Sequence, residues 1–521
     1  MVAFGSTRNR LVVNGLRLFW TVLALQEHVV FLHSVHKCAW PDSDVQARPS
    51  APTHVLIVAD PQILDHRSYP DRAPSLTFIS QLLVDLNLRK SWRAALRTRP
   101  DVVVFLGDMM DGGRFSMSDA EYERYFQRFK SIFPLDAFIP QYFIPGNHDT
   151  GLGASPQFSE KARARYSSHF GPPNSQVKIA NHTIVLLDAP AIVEEDFQRA
   201  GYGQSYSDWK SIPGGPIEFV KSFAKSKDQD PVVLFTHIPL SRPDGANCGP
   251  NRERGTIRRG VGFGYQNTLG KTASDFLLEN ISPSVVFSGD DHDYCEYTHS
   301  FGRAESPRHA REVTVKSLSM AMGIRRPGFQ LLSLAPPHSV HSDLSHADSL
   351  CLLPDQLGIY LSLYIPLLVI SILLILVANA TRVCSSRRFP RHTSSKSTDS
   401  PTYAPLTRGL RSRVDSDAGR TGDGWLQYPS DADDTLPQPS LSSRKQSRPA
   451  YSRSFVLLGR RRRTTIGSET VSSLAHTIFS CCDSRDVPKS RGFAAGMLYD
   501  TRDVAVFPLG IFTILSVWMF R

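Results

Sequence analysis

Five short polar motifs, each following an apolar and mostly β-branched run, constrain this chain more than any other feature. In order they are Asp60-Pro61-Gln62, Gly107-Asp108-Met109-Met110-Asp111, Gly146-Asn147-His148-Asp149, Thr236-His237 and Gly289-Asp290-Asp291-His292. The runs before them, HVLIVA, DVVVFL, QYFI, PVVLF and SVVF, predict buried strands of an α/β sheet. Ligands of such sheets gather at the carboxyl ends of the strands. Five loops carrying Asp, Asn and His at one sheet edge therefore supply the donors of a two-metal site. Two divalent cations about 3.5–4 Å apart need a shared anionic bridge, with oxygen and imidazole ligands on each side. Asp108 is the candidate bridge.

The motifs resemble the calcineurin-like metallophosphoesterase superfamily, whose pattern runs D-x-H, GD-x-x-D, GNH-D/E, H, GH-x-H. The resemblance implies a four-layer α-β-β-α sandwich and phosphoester hydrolysis. By position, one metal would take Asp60, Gln62, Asp108 and His292, and the other Asp108, Asn147, His237 and Asp290. His148 would stand over the phosphate and stabilise or protonate the leaving oxygen, with Asp111 holding its tautomer. The cations would make a hydroxide available near neutral pH. Two positions depart from the pattern: Gln62 and Asp290 stand where histidines are usual. Harder ligands favour Mn²⁺ or Mg²⁺ over Zn²⁺, so the expected cofactors are two divalent ions, Mn²⁺ first.

The same departures, with the insert RPDGANCGPNRERGTIRRGVGFGYQN after His237, resemble one membrane-bound branch. It holds the fungal cell division control protein 1 type and the post-GPI-attachment phosphodiesterases, which trim ethanolamine phosphate from GPI-anchor mannoses. The resemblance implies a GPI lipid or GPI-anchored protein as substrate. A phosphatase or pyrophosphatase acting on another membrane phospho-compound is the enzymatic rival, and a non-catalytic cargo adaptor is the rival from another class. On the substrate side, Arg114 is placed either to reach a phosphate or to form a surface salt bridge. The insert, with Arg242, Arg252, Arg254, Arg258 and Arg259 among glycines, reads as a lid for an anionic headgroup. Tyr265, Gln266 and Asn267 are its candidate sugar contacts.

The net charge of +10 would invite a nucleic-acid reading, but it is local. Residues 381–503 hold 21 Lys/Arg against 12 Asp/Glu, and the motif-bearing region is nearly neutral. Nucleic acid is therefore not an expected partner. Residues 357–380 are uncharged and long enough to span a bilayer. Arg382, Arg387, Arg388 and Arg391 follow, which puts that end in the cytosol and the motifs in a lumen, ER or Golgi. Residues 16–36 read as an amino-terminal signal anchor after a short cytosolic segment (1–15), although Glu27 inside it requires a polar partner. The remaining expected organisation is a linker (37–52), the catalytic domain (53–325), a second linker (326–356), a disordered basic tail (381–503) and, at 504–520, a third span or an interfacial anchor. An apolar stripe at Leu76, Ile79, Leu82, Leu83 and Leu86 reads as core. Cys38, Cys248, Cys295 and Cys351 fall on the lumenal side, where three disulfide pairings are open.

Overall fold

Each apolar run becomes a strand, and the strands sort into two sheets. The computed structural model describes residues 2–45, 51–153, 155–226, 228, 230–336, 345–388, 451–457, 460–466 and 492–518. Two units are distinguishable: residues 13–374 with 500–521, and residues 1–12 with 375–499.

In the larger unit, β1 (Thr53–Val58), β2 (Val102–Phe105) and β3 (Gln141–Phe143) are parallel neighbours. The second sheet is built on β5 (His182–Leu187), β6 (Val232–Thr236), β9 (Val285–Ser288) and β11 (Ser306–Thr314), also parallel. β4 (Ser175–Ile179) and β10 (Cys295–Arg303) border it antiparallel. A separate pair, β7 (Val261–Gly262) and β8 (Tyr265–Gln266), forms a hairpin inside the insert.

Residues 326–356, expected above to be a linker, instead supply two strands of the first sheet. β12 (Gly328–Leu334) pairs antiparallel with β1, and β13 (His346–Leu352) pairs with β12. The Pro/Ser/His-rich stretch between them masks the apolar run GFQLLSL, all of it buried. The motif-bearing domain thus extends to Leu352.

Side chains alternate between the faces of each strand. Val55, Ile57, Val102 and Val104 of the first sheet share one core with Ile184, Leu186, Val233, Phe235 and Phe287 of the second. The opposite faces meet helices. Leu56, Val58, Val103 and Phe105 pack with residues of α2 (Pro74–Leu96) and α3 (Asp119–Ile132). α4 (Asn147–Thr150) is the single turn of the third motif, and α5 (Ala162–Phe170) adds Tyr166 and Phe170 to this core. Val185, Leu187, Leu234 and Val286 pack with α6 (Ala189–Gly201), α7 (Pro216–Ser226) and α8 (Lys271–Ile281).

α2 corrects the apolar-stripe reading. Leu76, Ile79, Leu82 and Leu83 are exposed, and the helix buries Val84, Leu88 and Trp92 instead. Periodicity identifies an apolar face but not what that face meets.

Among the described residues, two helices are long and apolar enough to cross a membrane, Asn9–His36 and Gln356–Cys384. The first lies in α1 (Val2–His36). The second runs through α9 (Gln356–Ile359), a π-helical stretch at Tyr360–Tyr364 and α10 (Ile365–Arg388). The π stretch ends two residues before Pro366, whose missing N–H breaks the regular ladder.

The partner that Glu27 requires comes from both sides. Lys90 of α2 is ion-paired with it, and the Tyr364 hydroxyl donates to its other oxygen at 2.5 Å. Lys90 also donates to Gln356 at 2.8 Å. The four cysteines expected on the lumenal side pair as Cys38–Cys351 and Cys248–Cys295.

In the smaller unit, β14 (Tyr451–Leu457) pairs with β15 (Arg460–Ile466), within the segment expected to be disordered. Most of that segment, 389–450 and 467–491, lies outside the described residues. Residues 504–518 of the third expected span belong to α11 (Phe493–Trp518).

Candidate metal centre

The loops after β1, β2, β3, β6 and β9 converge as the strand order requires. Asp60, Asp108 and His237 are fully buried, and one ligand atom from each lies within 4.8 Å of the others. The His237 Nδ1 lies 2.6 Å from the Leu106 carbonyl, so Nδ1 carries a hydrogen and Nε2 is the ring atom turned into the cluster. That Nε2 faces only oxygens: Asn147 Oδ1 at 3.1 Å, Asp108 Oδ1 at 3.4 Å and Asp290 Oδ1 at 3.5 Å. Gln62 Nε2 donates to Asp108 Oδ2 at 3.2 Å, and the Asp290 amide donates to Asp60 Oδ1 at 3.2 Å. His292 lies on the same edge, within electrostatic reach of Asp108 and Asp290.

Three features of the protein fit a divalent cation here. The buried Asp60 Oδ2 and Gln62 Oε1 have no hydrogen-bond partner, a cost native interiors rarely accept. Burial drives the Asp60 carboxyl well above its ordinary range, with Asp108 and Asp290 adding to the effect and His237 opposing it. Burying three carboxylates so close together costs several kcal/mol each unless a cation offsets them (an order-of-magnitude figure).

Backbone strain marks the same positions. Nine non-glycine residues have positive φ among the described residues, and five of them are Asp60, Gln62, Asp108, Asp290 and His292. Such strain collects at functional sites. Glycine is required by contact at two motif positions. A Cβ on Gly107 would lie 2.5 Å from His237 Nδ1, and one on Gly146 would lie 2.0 Å from Asp108 Oδ1.

His148 stands beside this group. Its amide donates to Asp108 Oδ1 at 2.9 Å, and its Nδ1 meets the Asp111 carbonyl at 2.7 Å and Asp111 Oδ1 at 3.1 Å. Nδ1 therefore carries a hydrogen, and Nε2 is left for a substrate. Burial pulls the His148 pKa down, but the Asp108 and Asp111 carboxylates outweigh it and raise it to about 9.

Arg114 is not a surface salt bridge. It is buried, its Nη1 donates to the carbonyls of Gly264 at 3.0 Å and Asn147 at 3.4 Å, and Phe115 and Phe158 flank its guanidinium.

The insert divides its arginines between two tasks. Arg242 is buried against Glu312 at 2.7 Å, and Arg252 grips Asp291 at 2.5 Å, so neither belongs to the exposed basic lid. Arg254, Arg258 and Arg259 are exposed. Tyr265 is exposed, while Gln266 is buried and donates to the Thr268 carbonyl at 2.8 Å. Asn267 donates to the Arg258 carbonyl at 3.1 Å. Tyr265 and Gln266 line a cavity of about 450 Å³ with Leu152, Val193, Phe197 and Val261.

Two contributors were missed in the sequence. Asp149 accepts from the amides of Gly146, Met110 and Met109 at 3.0, 3.1 and 3.3 Å, tying the second motif to the third. Its place in the quoted motif was the available signal. The Gly264 carbonyl accepts from Asn147 Nδ2 at 2.8 Å, which turns Asn147 Oδ1 toward His237. A backbone acceptor leaves no residue-type signal. A Cβ on Gly264 would lie 3.0 Å from both Arg114 Nη1 and Phe158 Cζ, in a residue already at φ +71°. Gly264→Ala is expected to weaken divalent-cation affinity about 10–100-fold, as losing an outer partner of a ligand does. Calorimetric titration of the metal-stripped protein checks this, with the exposed Val261→Ser unchanged.

Residues 53–294 match the calcineurin-like phosphoesterase family. The chain is 32% identical over 363 residues to Cell division control protein 1 of Saccharomyces cerevisiae, covering 65% of this chain and 71% of the yeast protein. This chain belongs to the calcineurin-like phosphoesterases, a family that binds divalent metals, and is a metal-dependent phosphoester hydrolase. It is also 26% identical over 333 residues to the Metallophosphoesterase 1 homolog of Drosophila melanogaster, which covers 61% of this chain and 81% of the fly protein. Mouse Metallophosphoesterase 1 is 26% identical over 358 residues, with 64% and 81% covered.

Proposed function

We propose that this protein is a two-metal phosphodiesterase that removes ethanolamine phosphate from a mannose of the GPI anchor, working in the lumen of the ER or Golgi. The observation that carries the reading is the tie between site and membrane helices. The metal-centre motifs and most of both apolar helices share one compact unit, and Lys90–Glu27 joins the domain to the helix inside it. An enzyme so fixed meets substrates that are themselves membrane-tethered. The motif variants Gln62 and Asp290 and the G-x-G-Y-Q-N insert resemble the GPI-trimming branch, and the likeness to the yeast protein agrees with it. Two disulfides in the domain favour an oxidising lumen. The three cores are those expected of a four-layer sandwich, with its metal loops along one edge.

In this reading Asp60, Gln62, Asp108 and His292 hold one cation, and Asp108, Asn147, His237 and Asp290 hold the other. Mn²⁺ is the expected ion, because six of the eight positions are oxygen donors. The bound cations supply an activated water and offset phosphate charge. Arg114, a buried cation with carbonyl partners, orients the phosphate. His148, with Nδ1 fixed by Asp111, donates a proton from Nε2 to the departing sugar oxygen. His148→Ala is expected to lower kcat about 10²–10⁴-fold while leaving cation affinity in place; steady-state kinetics beside metal titration checks both.

Mass spectrometry of GPI glycans from cells lacking this protein tests the substrate. Ethanolamine phosphate persisting on one mannose, and removed by the wild type but not by Asp108→Asn, is the expected result. Unchanged glycans would overturn the GPI reading and favour another membrane phospho-compound.

A further inference from the structure

We propose that the amino-terminal half of α2 lies in the headgroup layer of the bilayer crossed by α1 and α10, with its apolar arc turned toward the acyl chains. This rests on reading those helices as membrane spans. Leu76, Phe78, Ile79, Leu82 and Leu83 are 55%, 65%, 48%, 49% and 37% exposed, and Leu86 is half-buried. At 3.6 residues per turn these six share one continuous arc of about 160°. Between Pro74 and Leu86 no charged side chain falls within the arc. Asp85, at its edge, is held on the domain side by Arg128 at 2.7 Å. An exposed apolar face of this extent marks a contact surface.

The occupant follows from where the helix is fastened. Lys90, seven residues beyond Leu83, is bound to Glu27 of α1 and to Gln356 at the start of the second apolar helix. Phe31 and Val35 of α1 share a core with Leu88 and Trp92 of α2, and the Phe31 ring lies 4.7 Å from Lys90 Nζ. At 1.5 Å per residue, the arc begins about 6 Å from this junction at Leu86 and ends about 21 Å from it at Leu76. Next to the junction, Leu25 and Val29 of α1 and Leu357 and Leu361 of the second apolar helix are exposed in the same way. The apolar surface of the spans therefore continues onto α2. The Tyr69 ring, with Arg72 stacked on it at 3.7 Å just before the helix, is the aromatic and basic pair that membrane interfaces favour. The opposite face of α2 buries Val84, Leu88 and Trp92 in the domain core, so the arc is the side that the domain leaves uncovered.

The placement bears on the substrate. α2 follows β1 through the loop that carries Gln62, so its first turn stands at the metal-bearing edge of the sheet. Seating that turn in the headgroups holds the catalytic edge at a fixed height above the membrane.

Site-specific photocrosslinking of the full-length protein in phosphatidylcholine vesicles tests this. Benzoylphenylalanine is introduced singly at Phe78 and Leu82, at Leu368 in α10, and at the exposed Lys271 of α8. Lipid adducts at Phe78, Leu82 and Leu368, with none at Lys271, are the expected result. Adducts at Leu368 alone overturn the α2 contact and keep the spans. No adduct at Leu368 overturns the membrane reading and the inference with it. A crosslinked dimer from Phe78 or Leu82 in place of lipid assigns the arc to a second copy and overturns the proposal.

Discussion

Asp108→Asn is expected to end turnover and strip the protein of its cations while leaving the metal-free fold as stable as before. Asp108 accepts from Gln62 Nε2 and the His148 amide and lies 3.4 Å from His237. Burial pushes its carboxyl up, but His237 and His148 together hold it well below the ordinary range, so it is ionised at any working pH. Asparagine keeps the shape and loses the charge that screens two cations from each other. Cation affinity should fall by more than the roughly 10–100-fold that follows loss of an outer-shell partner. Elemental analysis of purified protein reads the metal content, and thermal melts with and without Mn²⁺ separate lost binding from lost folding. A variant that keeps two equivalents of metal and its activity would remove Asp108 from the bridging position.

Glu312→Gln is expected to cost stability rather than chemistry. Glu312 is fully buried between Arg242 and His299, each 2.7 Å away, and accepts from Ser288 Oγ and the Leu240 amide. Removing one member of a buried ionic group leaves its partner unpaired, a loss of about 3–5 kcal/mol. Burial pushes the Glu312 carboxyl up, but Arg242 and His299 outweigh burial and bring it down to about 2. Its folded value thus lies below the roughly 4.3 of an unfolded chain. The stability it contributes is complete above that value and is lost as the pH falls toward 2. Urea melts across that window should fall steeply for the wild type and less steeply for Glu312→Gln. Equal slopes would mean that Glu312 is not ionised in the fold.

The convergence of the polar loops was legible in the sequence because it is carried by side chains that follow strands. Asp60, Asp108, Asn147, His237, Asp290 and His292 each follow a strand, and the fold gathers them as the strand order implies. What escaped was written elsewhere. The Gly264 carbonyl orients Asn147, and any residue has a carbonyl. β12 was hidden because the Pro/Ser/His-rich residues after it dominate the local composition. Arg242 and Arg252 looked like substrate contacts because a glycine-rich basic loop does not reveal which of its charges find buried carboxylates. The leucines of α2 looked like core for the parallel reason: a stripe records amphipathicity, whether its far side is protein or lipid.

The Cys38–Cys351 bond has a topological consequence. It joins the end of α1 to β13 across 313 residues, just before the second apolar helix begins. The catalytic domain is therefore a covalently closed ring, anchored at its point of closure. A single proteolytic cut anywhere between these two cysteines opens the ring but sheds nothing, since both new ends stay attached to an apolar helix. Freeing the whole domain from both apolar helices requires two cuts, one before Cys38 and one after Cys351.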